Sequence, residues 1–188
     1  PLGRVAARDV RAVVLLLQRA SARVENVRER VLPALPDCHV LDALDAAAAP
    51  RDVERFLASR ALALSDEYAA RARAGQVGCA ASHARARERA ARARAAHTLV
   101  LEDDAAVPDD GGFAARLGEA MAELPEDYDV LYVFVHPPHF RADAEVALEG
   151  RERVVRAYAA WGLTGYVVSL KGARRLLELC ATMDRPID

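Results

Sequence analysis

The chain has 188 residues, a formal net charge of −2 and 53% hydrophobic residues, with four Phe and one Trp. This length suits a single domain over residues 1–188, with residues 1–9 expected to be a tag remnant or disordered, and the charge argues against a nucleic-acid binder. The three cysteines, Cys38, Cys79 and Cys180, are widely spaced, so neither a disulfide framework nor a zinc ribbon is expected. The sequence shows no transmembrane run and no secretion signal, which favours a reducing, cytoplasmic location.

The chain begins with a pattern of strand, helix and strand. Residues 10–17 form a short Val/Leu run typical of a strand buried on both faces. Residues 22–32 carry apolar side chains at helical spacing, and Ser21 is placed to cap that helix. Residues 39–44 read as a second strand. This order predicts a βαβ crossover.

The rest of the chain continues to alternate between helix and strand. The predicted elements are helices over residues 50–68 and 79–96, a strand over 98–101, a helix over 113–124, a strand over 129–135, an antiparallel pair over 154–161 and 164–170, and a helix over 171–183. Residues 140–152 are polar and are interpreted as a loop. The alternation indicates a three-layer α/β domain with a mixed, mainly parallel sheet, in which ligands bind outside the carboxyl ends of strands.

Three acids, Glu102, Asp103 and Asp104, directly follow the apolar stretch of residues 98–101. Side chains two apart on an extended backbone point the same way, so Glu102 and Asp104 are expected to act together. A metal held by two carboxylates keeps open positions, which Mg²⁺ or Mn²⁺ fills with water or phosphate oxygens. The cluster therefore predicts a cation site for a phosphorylated ligand, against the plain alternative of a solvated acidic loop.

Charge is unevenly distributed along the chain. Residues 102–129 contain many acids and a single basic residue, Arg116. Residues 71–94 contain many Arg and a single acid, Glu88. The basic segment is either a solvated helix face or a wall facing a diphosphate or an acidic membrane surface. Enrichment in Ala and Arg, with Lys171 as the single Lys, suggests a bacterial source.

Two motifs in a fixed order carry a resemblance to a known family. Gly75-Gln76-Val77-Gly78-Cys79-Ala80-Ala81-Ser82-His83 is followed by Leu99-Val100-Leu101-Glu102-Asp103-Asp104-Ala105. Together they closely resemble glycosyltransferase family 25, the family of lipopolysaccharide galactosyltransferases and collagen galactosyltransferase domains. Further matches are Leu17-Gln18-Arg19 with Arg23, Tyr128 to Tyr132, Gly162 to Ser169, Gly172-Ala173 and Pro186-Ile187-Asp188. The resemblance covers residues 11–188.

The resemblance implies an inverting enzyme of the glycosyltransferase type A fold that uses Mn²⁺, or Mg²⁺, and a UDP-sugar. It would transfer a hexose, galactose above all, to an acceptor hydroxyl, such as one on a lipopolysaccharide-like glycan. Glu102 and Asp104 are then the expected metal ligands, with Asp104 also catalytic. Asp103 is expected to contact ribose or sugar, or to brace the turn. Asp188 is the expected general base or an acceptor contact.

The resemblance also implies residues that hold the nucleotide sugar. Gly78 is expected either to present N–H groups to phosphate or to start a helix. Arg19 and Arg23 are expected to hold the nucleotide or its phosphates, against a surface role. Ser82 and His83 complete the expected donor site, although hydrogen-bonded packing is the commoner role for such a His.

Some positions depart from the family pattern. Leu16 stands where a polar Asn is frequent, Leu163 where Thr is typical, and the family's fold is expected to continue beyond Asp188. His136 and His139 could supply an imidazole, though a loop role is favoured for them. The alternative function is therefore a degenerate, non-catalytic glycosyltransferase-like binding module. A different metal-dependent phosphotransfer enzyme is less well supported, because its usual loop motifs are missing from the sequence.

Overall fold

The computed structural model describes residues 10–134, 141–147, 154–159 and 162–186, with backbone alone for residues 141–147 and 158–159. In chain order the elements are β1 (Val10–Leu16), α1 (Ser21–Asn26), a π-helical segment (Val27–Val31), α2 (Leu32–Ala34), β2 (His39–Asp42), α3 (Pro50–Ala58), β3 (Ala63–Leu64), α4 (Asp66–Ala69), α5 (Ala74–Arg92), β4 (His97–Glu102), α6 (Phe113–Ala122), β5 (Val130–Tyr132), β6 (Arg141–Ala147), β7 (Val155–Ala159), β8 (Gly165–Ser169), α7 (Leu170–Leu179) and β9 (Thr182–Met183). The candidate residues His136, His139 and Asp188 lie outside the described residues.

A five-stranded sheet in the order β2-β1-β4-β8-β5 forms the centre of the fold. β1 pairs in parallel with both β2 and β4, whereas β8 runs antiparallel to its neighbours β4 and β5. Strands β2, β1, β4 and β5 therefore share one direction. This confirms the predicted α/β class with a mixed sheet, although two of its four strand pairs are antiparallel. The first crossover from β1 to β2 is the predicted βαβ unit.

Alternate residues of the central strands pack on opposite faces of the sheet. Val14, Leu16 and Leu99 contribute to a core with the π-helical segment and α6. Val13 and Val100 point to the other face, against α5 and α7. Helices thus cover both faces, which explains why the middle of β1 and β4 is apolar on both sides.

Small side chains bring α5 close to its neighbours. Ala86 and Ala90 are buried against the sheet. Ala81 packs instead with Val53 and Leu57 of α3 in a separate apolar cluster. Helix α5 is therefore held from two sides, and it forms one wall of the site described below.

The region predicted as helical over residues 50–68 is divided in the structure. Helix α3 ends at Ala58, and Ala61 takes a left-handed conformation with φ of 53°. The main-chain N–H of Leu62 bonds back to the carbonyl of Leu57, which closes the helix end. The chain then forms the short strand β3, parallel to β9. Pairing with a distant segment is information that local periodicity does not contain.

The predicted antiparallel pair around Gly162 is also wrong. β7 pairs with β6, while β8 lies in the main sheet between β4 and β5. All five residues of β8 are buried, which suits a central strand covered on both faces. The loop predicted over residues 140–152 contains β6, whose sequence alternates charged residues with Ala and Val. This alternation with a period of two is typical of a strand and was a signal available in the sequence.

Helix ends differ from the prediction at three places. Ser21 is the first residue of α1 and its side chain does not cap the helix. Helix α5 begins at Ala74 rather than Cys79, because the Gln76 side chain accepts the main-chain N–H of Arg73 at 3.0 Å and starts the helix early. It ends at Arg92, before the predicted residue 96. Among the described residues, no helix is long and apolar enough to span a membrane.

Candidate active site

One cavity of about 490 Å³ lies at the carboxyl ends of β1, β2 and β4. The candidate site residues that line it are Arg19, Arg23, Gly78, Ser82, His83, Glu102, Asp103 and Asp104. The structure therefore brings together residues from three separate segments of the chain. We call this cavity the acid cavity. Asp188 lies outside the described residues, and its role stays a prediction.

Strand register explains why these segments meet. The parallel pairing aligns Leu16 with Asp42 and Leu15 with Glu102, so the three strands end at the same edge of the sheet. The loops that follow them start side by side. Helix α5 supplies the other wall through Gly78, Ser82 and neighbouring residues.

Asp103 fixes the turn after β4. It is 3% exposed, and its carboxylate accepts hydrogen bonds from the main-chain N–H of Leu17 (2.8 Å) and from Nη1 of Arg23 (2.6 Å). The side-chain amide of Asn26 donates to the main-chain oxygen of Asp103 at 2.9 Å. Both carboxylate oxygens are used within the protein, so the geometry favours bracing of the turn over contact with a sugar.

Glu102, the last residue of β4, turns toward α5. Its Oε1 lies 3.3 Å from Nε2 of His83 and accepts a hydrogen bond from the Cys79 thiol at 3.4 Å. His83 is fully buried, and its Nδ1 lies 3.1 Å from the hydroxyl of Tyr166. One ring nitrogen thus faces a carboxylate and the other faces a phenol, which fixes the orientation of the imidazole.

Within the described residues, Cys79, His83 and Glu102 form a group that could hold a metal ion, with one ligand atom of each within 4.8 Å of the others. Sulfur and nitrogen donors suit zinc, whereas Mn²⁺ and Mg²⁺ prefer oxygen. The sequence instead paired Glu102 with Asp104 on the ground that alternate strand residues point the same way. That argument holds along a strand, whereas β4 ends at Glu102 and Asp104 lies in the turn beyond it, so the pairing of these two acids stays a prediction. Asp104 faces Nη2 of Arg23 at 3.2 Å.

The two outer acids of the cluster have opposite pKa shifts. Burial raises the pKa of Asp104, and the nearby carboxylates of Glu102 and Asp103 raise it further, although Arg23 lowers it. Burial also raises the pKa of Glu102, but the interactions with His83 and Cys79 outweigh it, so the pKa of Glu102 is lowered. Asp103 and Asp104 pair with the guanidinium of Arg23, and Glu102 lies close enough to act on it electrostatically. Three acids beside this one guanidinium leave an excess of negative charge that fits a divalent cation.

Gly78 and Ser82 hold α5 against the loop after β2. A Cβ at Gly78 would lie 2.5 Å from the main-chain oxygen of Leu44. The Ser82 hydroxyl donates to the carbonyl of Gly78 at 2.6 Å and accepts the N–H of Leu44 at 2.8 Å. Gly78 lies one turn inside α5 rather than at its start, where phosphate groups bind to free N–H groups. The packing role of both residues follows from these contacts, and a phosphate contact stays a prediction.

Arg19 forms an ion pair with Asp45, which joins the loops after β1 and β2. The Asp45 carboxylate also accepts the N–H groups of Ala47 (3.0 Å) and Ala48 (3.1 Å). The hydrogen bond from Arg19 is the largest cause that lowers the pKa of Asp45. The Arg19 side chain is 60% exposed and that of Arg23 46%. Both arginine side chains can therefore reach a ligand in the acid cavity. Their binding to such a ligand stays a prediction.

Sequence reasoning did not single out Asp45, Cys79 or Tyr166. Asp45 follows β2 at the same sheet edge as the acid cluster, and Cys79 precedes His83 by four residues on one helix face. Both signals were available in the sequence. Tyr166 lies in the matched segment Gly162 to Ser169, but its contact with His83 could not be predicted because it depends on β8 lying beside β4.

A mixed α/β sheet with acids and arginines around a cavity at its carboxyl edge defines a domain suited to phosphorylated ligands. A profile of glycosyltransferase family 25 (LPS biosynthesis protein) matches residues 13–188. The chain belongs to this family, which confirms the resemblance seen in its motifs.

Three curated relatives are similar to the chain. A protein named probable inactive glycosyltransferase 25 family member 3, from Bos taurus, is 33% identical over 166 residues, which cover 83% of this chain and 27% of that protein. The protein of the same name from Rattus norvegicus is 31% identical over 164 residues, covering 83% and 28%. A glycosyltransferase 25 family member from Anopheles gambiae is 33% identical over 107 residues, covering 55% and 17%. The chain therefore spans less than a third of the length of each relative. All three are animal proteins, and the bacterial source suggested by composition stays a prediction.

Proposed function

We propose that this chain is an inverting, metal-dependent glycosyltransferase that moves a hexose, with galactose as the first candidate, from a UDP-sugar to an acceptor hydroxyl. The observation that carries the proposal is the acid cavity, where candidate residues from three segments meet in a chain that belongs to glycosyltransferase family 25. The sheet order is compatible with a Rossmann-like fold, and the type A fold of such enzymes is part of the proposal. With a lipopolysaccharide-like acceptor, the protein would act in the cytoplasm, in peripheral contact with the membrane.

We assign a Mn²⁺ or Mg²⁺ ion to carboxylate oxygens of Glu102 and Asp104. The excess negative charge around Arg23 supports this assignment. When bound, such an ion supplies positive charge that stabilises the departing UDP. Asp103 keeps the turn in place, and Arg23 orients Asp104.

The chain's own residues bind the donor and accept a proton in this proposal. The guanidinium groups of Arg19 and Arg23 attract the phosphates, while Ser82 and His83 shape the wall opposite them. The acceptor oxygen attacks the sugar as a carboxylate removes its proton, and we assign this general base to Asp188. A single displacement inverts the anomeric centre and forms no covalent link between sugar and protein.

A non-catalytic binding module is the second candidate function. Two of the relatives are named probable inactive. In addition, Glu102 contacts His83 and Cys79, and Asp104 contacts Arg23, so a bound cation has to compete with these protein contacts. Such a module would bind UDP and metal at the same cavity without turnover.

The two functions are separated by measuring thermal stability and UDP release in parallel. Mn²⁺ with UDP is expected to raise the melting temperature, because a ligand that binds the folded state alone stabilises it. UDP release from UDP-galactose is expected in the presence of Mn²⁺, and Asp104→Ala should reduce it by at least about 10²-fold. The same titration with Zn²⁺ tests the group formed by Cys79, His83 and Glu102.

Asp109→Ala is the matched control, because Asp109 is an exposed acid of the same loop that does not line the acid cavity. This variant should release UDP at the wild-type rate. Binding of Mn²⁺ and UDP without release would support the non-catalytic module. A folded protein with no metal-dependent UDP binding would contradict both functions.

A further inference from the structure

Arg87 differs from the other arginines near the end of α5. Arg89 and Arg92 are exposed, whereas Arg87 is 5% exposed and lies one turn after His83. Its Nε donates a hydrogen bond to the hydroxyl of Tyr166 at 3.3 Å, and its guanidinium carbon lies 5.6 Å from the centre of that ring. Within the part of the chain that the structure describes, no carboxylate pairs with it. A buried cation whose hydrogen-bond partner is a neutral phenol is costly unless an anion joins it.

Arg87 lines a second cavity, of about 280 Å³, which we call the Arg87 cavity. Much of its wall is apolar and includes Leu163, Leu176 and Met183. The charges of two further lining residues, Asp184 and Arg185, balance each other through an ion pair of 2.9 Å. Among the described lining residues, the positive charge of Arg87 is therefore left without a balancing negative charge.

The chemistry of a guanidinium defines what can neutralise this charge. It carries five N–H donors in a planar fork, and Tyr166 accepts one of them. The rest of the fork matches the paired oxygens of a carboxylate or a phosphate. Apolar walls strengthen such a contact because they lower the local dielectric constant. Drug-sized ligands occupy about 300 to 1,000 Å³, so this smaller cavity suits one anionic group or a single sugar unit.

A chain of polar contacts links the Arg87 cavity to the acid cavity. Glu102 lies 3.3 Å from His83, His83 lies 3.1 Å from Tyr166, and Tyr166 lies 3.3 Å from Arg87. The two cavities are thus separated by the side chains of His83 and Tyr166. A ligand in the Arg87 cavity would lie beside the site proposed for the donor sugar.

We propose that the Arg87 cavity is an anion-binding subsite that takes a carboxylate or phosphate group of the acceptor. The identity of the carrier as an acceptor rests on the proposed function, but binding of the anion requires neither the donor nor a metal. An acidic acceptor sugar is bound here. Its neutral counterpart is not bound, because a neutral sugar leaves the buried charge of Arg87 unpaired.

Two cysteines provide a test that reports on each cavity separately. Cys180 lines the Arg87 cavity and Cys79 lines the acid cavity. The protein is treated with iodoacetamide, a neutral reagent, without metal, and alkylation at each cysteine is followed by mass spectrometry. The probes are glucuronate, glucose 6-phosphate and neutral glucose. Glucuronate, glucose 6-phosphate or both are expected to slow alkylation of Cys180 but not of Cys79, and the protecting probe identifies the anionic group.

Variants connect the protection to Arg87. Arg87→Met should weaken the anion's protection of Cys180 about 10- to 100-fold, the usual effect of losing hydrogen bonds to a charged group. Arg89→Met removes the same charge from the exposed face of α5 and should leave protection unchanged. If Arg87→Met does not fold, Thr182→Asp places a carboxylate in the cavity lining while Arg87 stays intact. It should weaken anion binding similarly, whereas Thr182→Asn should not.

Several results would overturn the subsite. These are the lack of protection by both anions, equal protection by glucose, and unchanged protection in Arg87→Met or in Thr182→Asp. Because neither UDP-sugar nor metal is present, this result is independent of the UDP-release assay. Failure of the transferase proposal would leave the anion subsite standing, and the reverse holds equally.

Discussion

Gly75 and Gly78 lie in the same helix, three residues apart, but their surroundings differ. A Cβ at Gly78 would meet the main-chain oxygen of Leu44 at 2.5 Å, whereas a Cβ at Gly75 would meet nothing within 4 Å. Gly78 is therefore needed for the close approach of α5 to the loop after β2. Gly75 has no such constraint.

We expect Gly78→Ala to lower the free energy of unfolding by about 1 to 3 kcal/mol, since overpacking forces the helix and the loop apart. Gly75→Ala should raise it by about 0.4 to 1 kcal/mol, because alanine restricts the unfolded chain and favours helix. Urea unfolding of both variants measures this difference. Equal effects of the two substitutions would contradict the packing role of Gly78.

The position of the acid cluster could be predicted from the sequence, but the directions of its side chains could not. The sequence correctly located three acids at the carboxyl end of a strand. It named Arg23 as a ligand for phosphate but did not predict its ion pairs with Asp103 and Asp104. It did not predict that Glu102 would turn toward His83 while Asp104 turns toward Arg23. The direction of each side chain depends on where the strand stops and the turn begins, and the apolar pattern locates that point to within a residue or two.

At the scale of elements, the ends of helices were the least predictable feature. Both α3 and α5 are followed by a left-handed residue that is not glycine, Ala61 with φ of 53° and Arg94 with φ of 48°. Sequence reasoning relies on glycine as the stop signal at such positions. Because neither helix has a glycine stop signal at its end, the predicted helices over residues 50–68 and 79–96 are longer than α3 and α5.

Helix α7 begins with a cap that also joins it to the sheet. The Ser169 hydroxyl accepts the N–H of Gly172 at 2.9 Å and donates to the carbonyl of Tyr128 at 2.8 Å. Ser65 caps α4 by accepting the N–H of Tyr68 at 3.2 Å. Ser169 is therefore expected to contribute more to stability than Ser65.

We expect Ser169→Ala to lower the free energy of unfolding by about 1 to 2 kcal/mol, because it removes a cap and leaves a carbonyl without its partner. Ser65→Ala, the matched control, should cost about 0.5 to 1 kcal/mol. Chemical denaturation of the two variants gives the comparison. A larger loss for Ser65→Ala would show that the link to Tyr128 adds nothing.

At the scale of the whole molecule, the basic and acidic segments belong to different surfaces. Arg85, Arg89 and Arg92 of α5 line a groove between α3 and α5. Glu88 lies among them and pairs with Arg60 and Arg92. Among the described residues, the arginines that line this groove are not those that line the acid cavity. This arrangement favours the solvated helix face over a wall facing the diphosphate.

Sheet order predicts the pattern of amide hydrogen exchange. β1, β4 and β8 each have neighbours on both sides, whereas β2 and β5 lie at the edges of the main sheet. Amides of the inner strands should exchange most slowly, because opening them requires disruption of the core on both faces. Exchange followed by mass spectrometry or NMR checks this order. Slower exchange in β2 or β5 than in β4 would contradict the sheet order.

The sequence by itself determined the fold class, the first βαβ unit, the acid cluster at a strand end and the family, because each depends on a local pattern or on a short motif. The tertiary structure alone decided that β8 inserts between β4 and β5, that Tyr166 joins His83 to Arg87, and that Arg87 is buried beside a cavity. The physical reason is that these features depend on which distant segments bury each other's apolar surface, and that choice is made by the whole chain rather than by any local window.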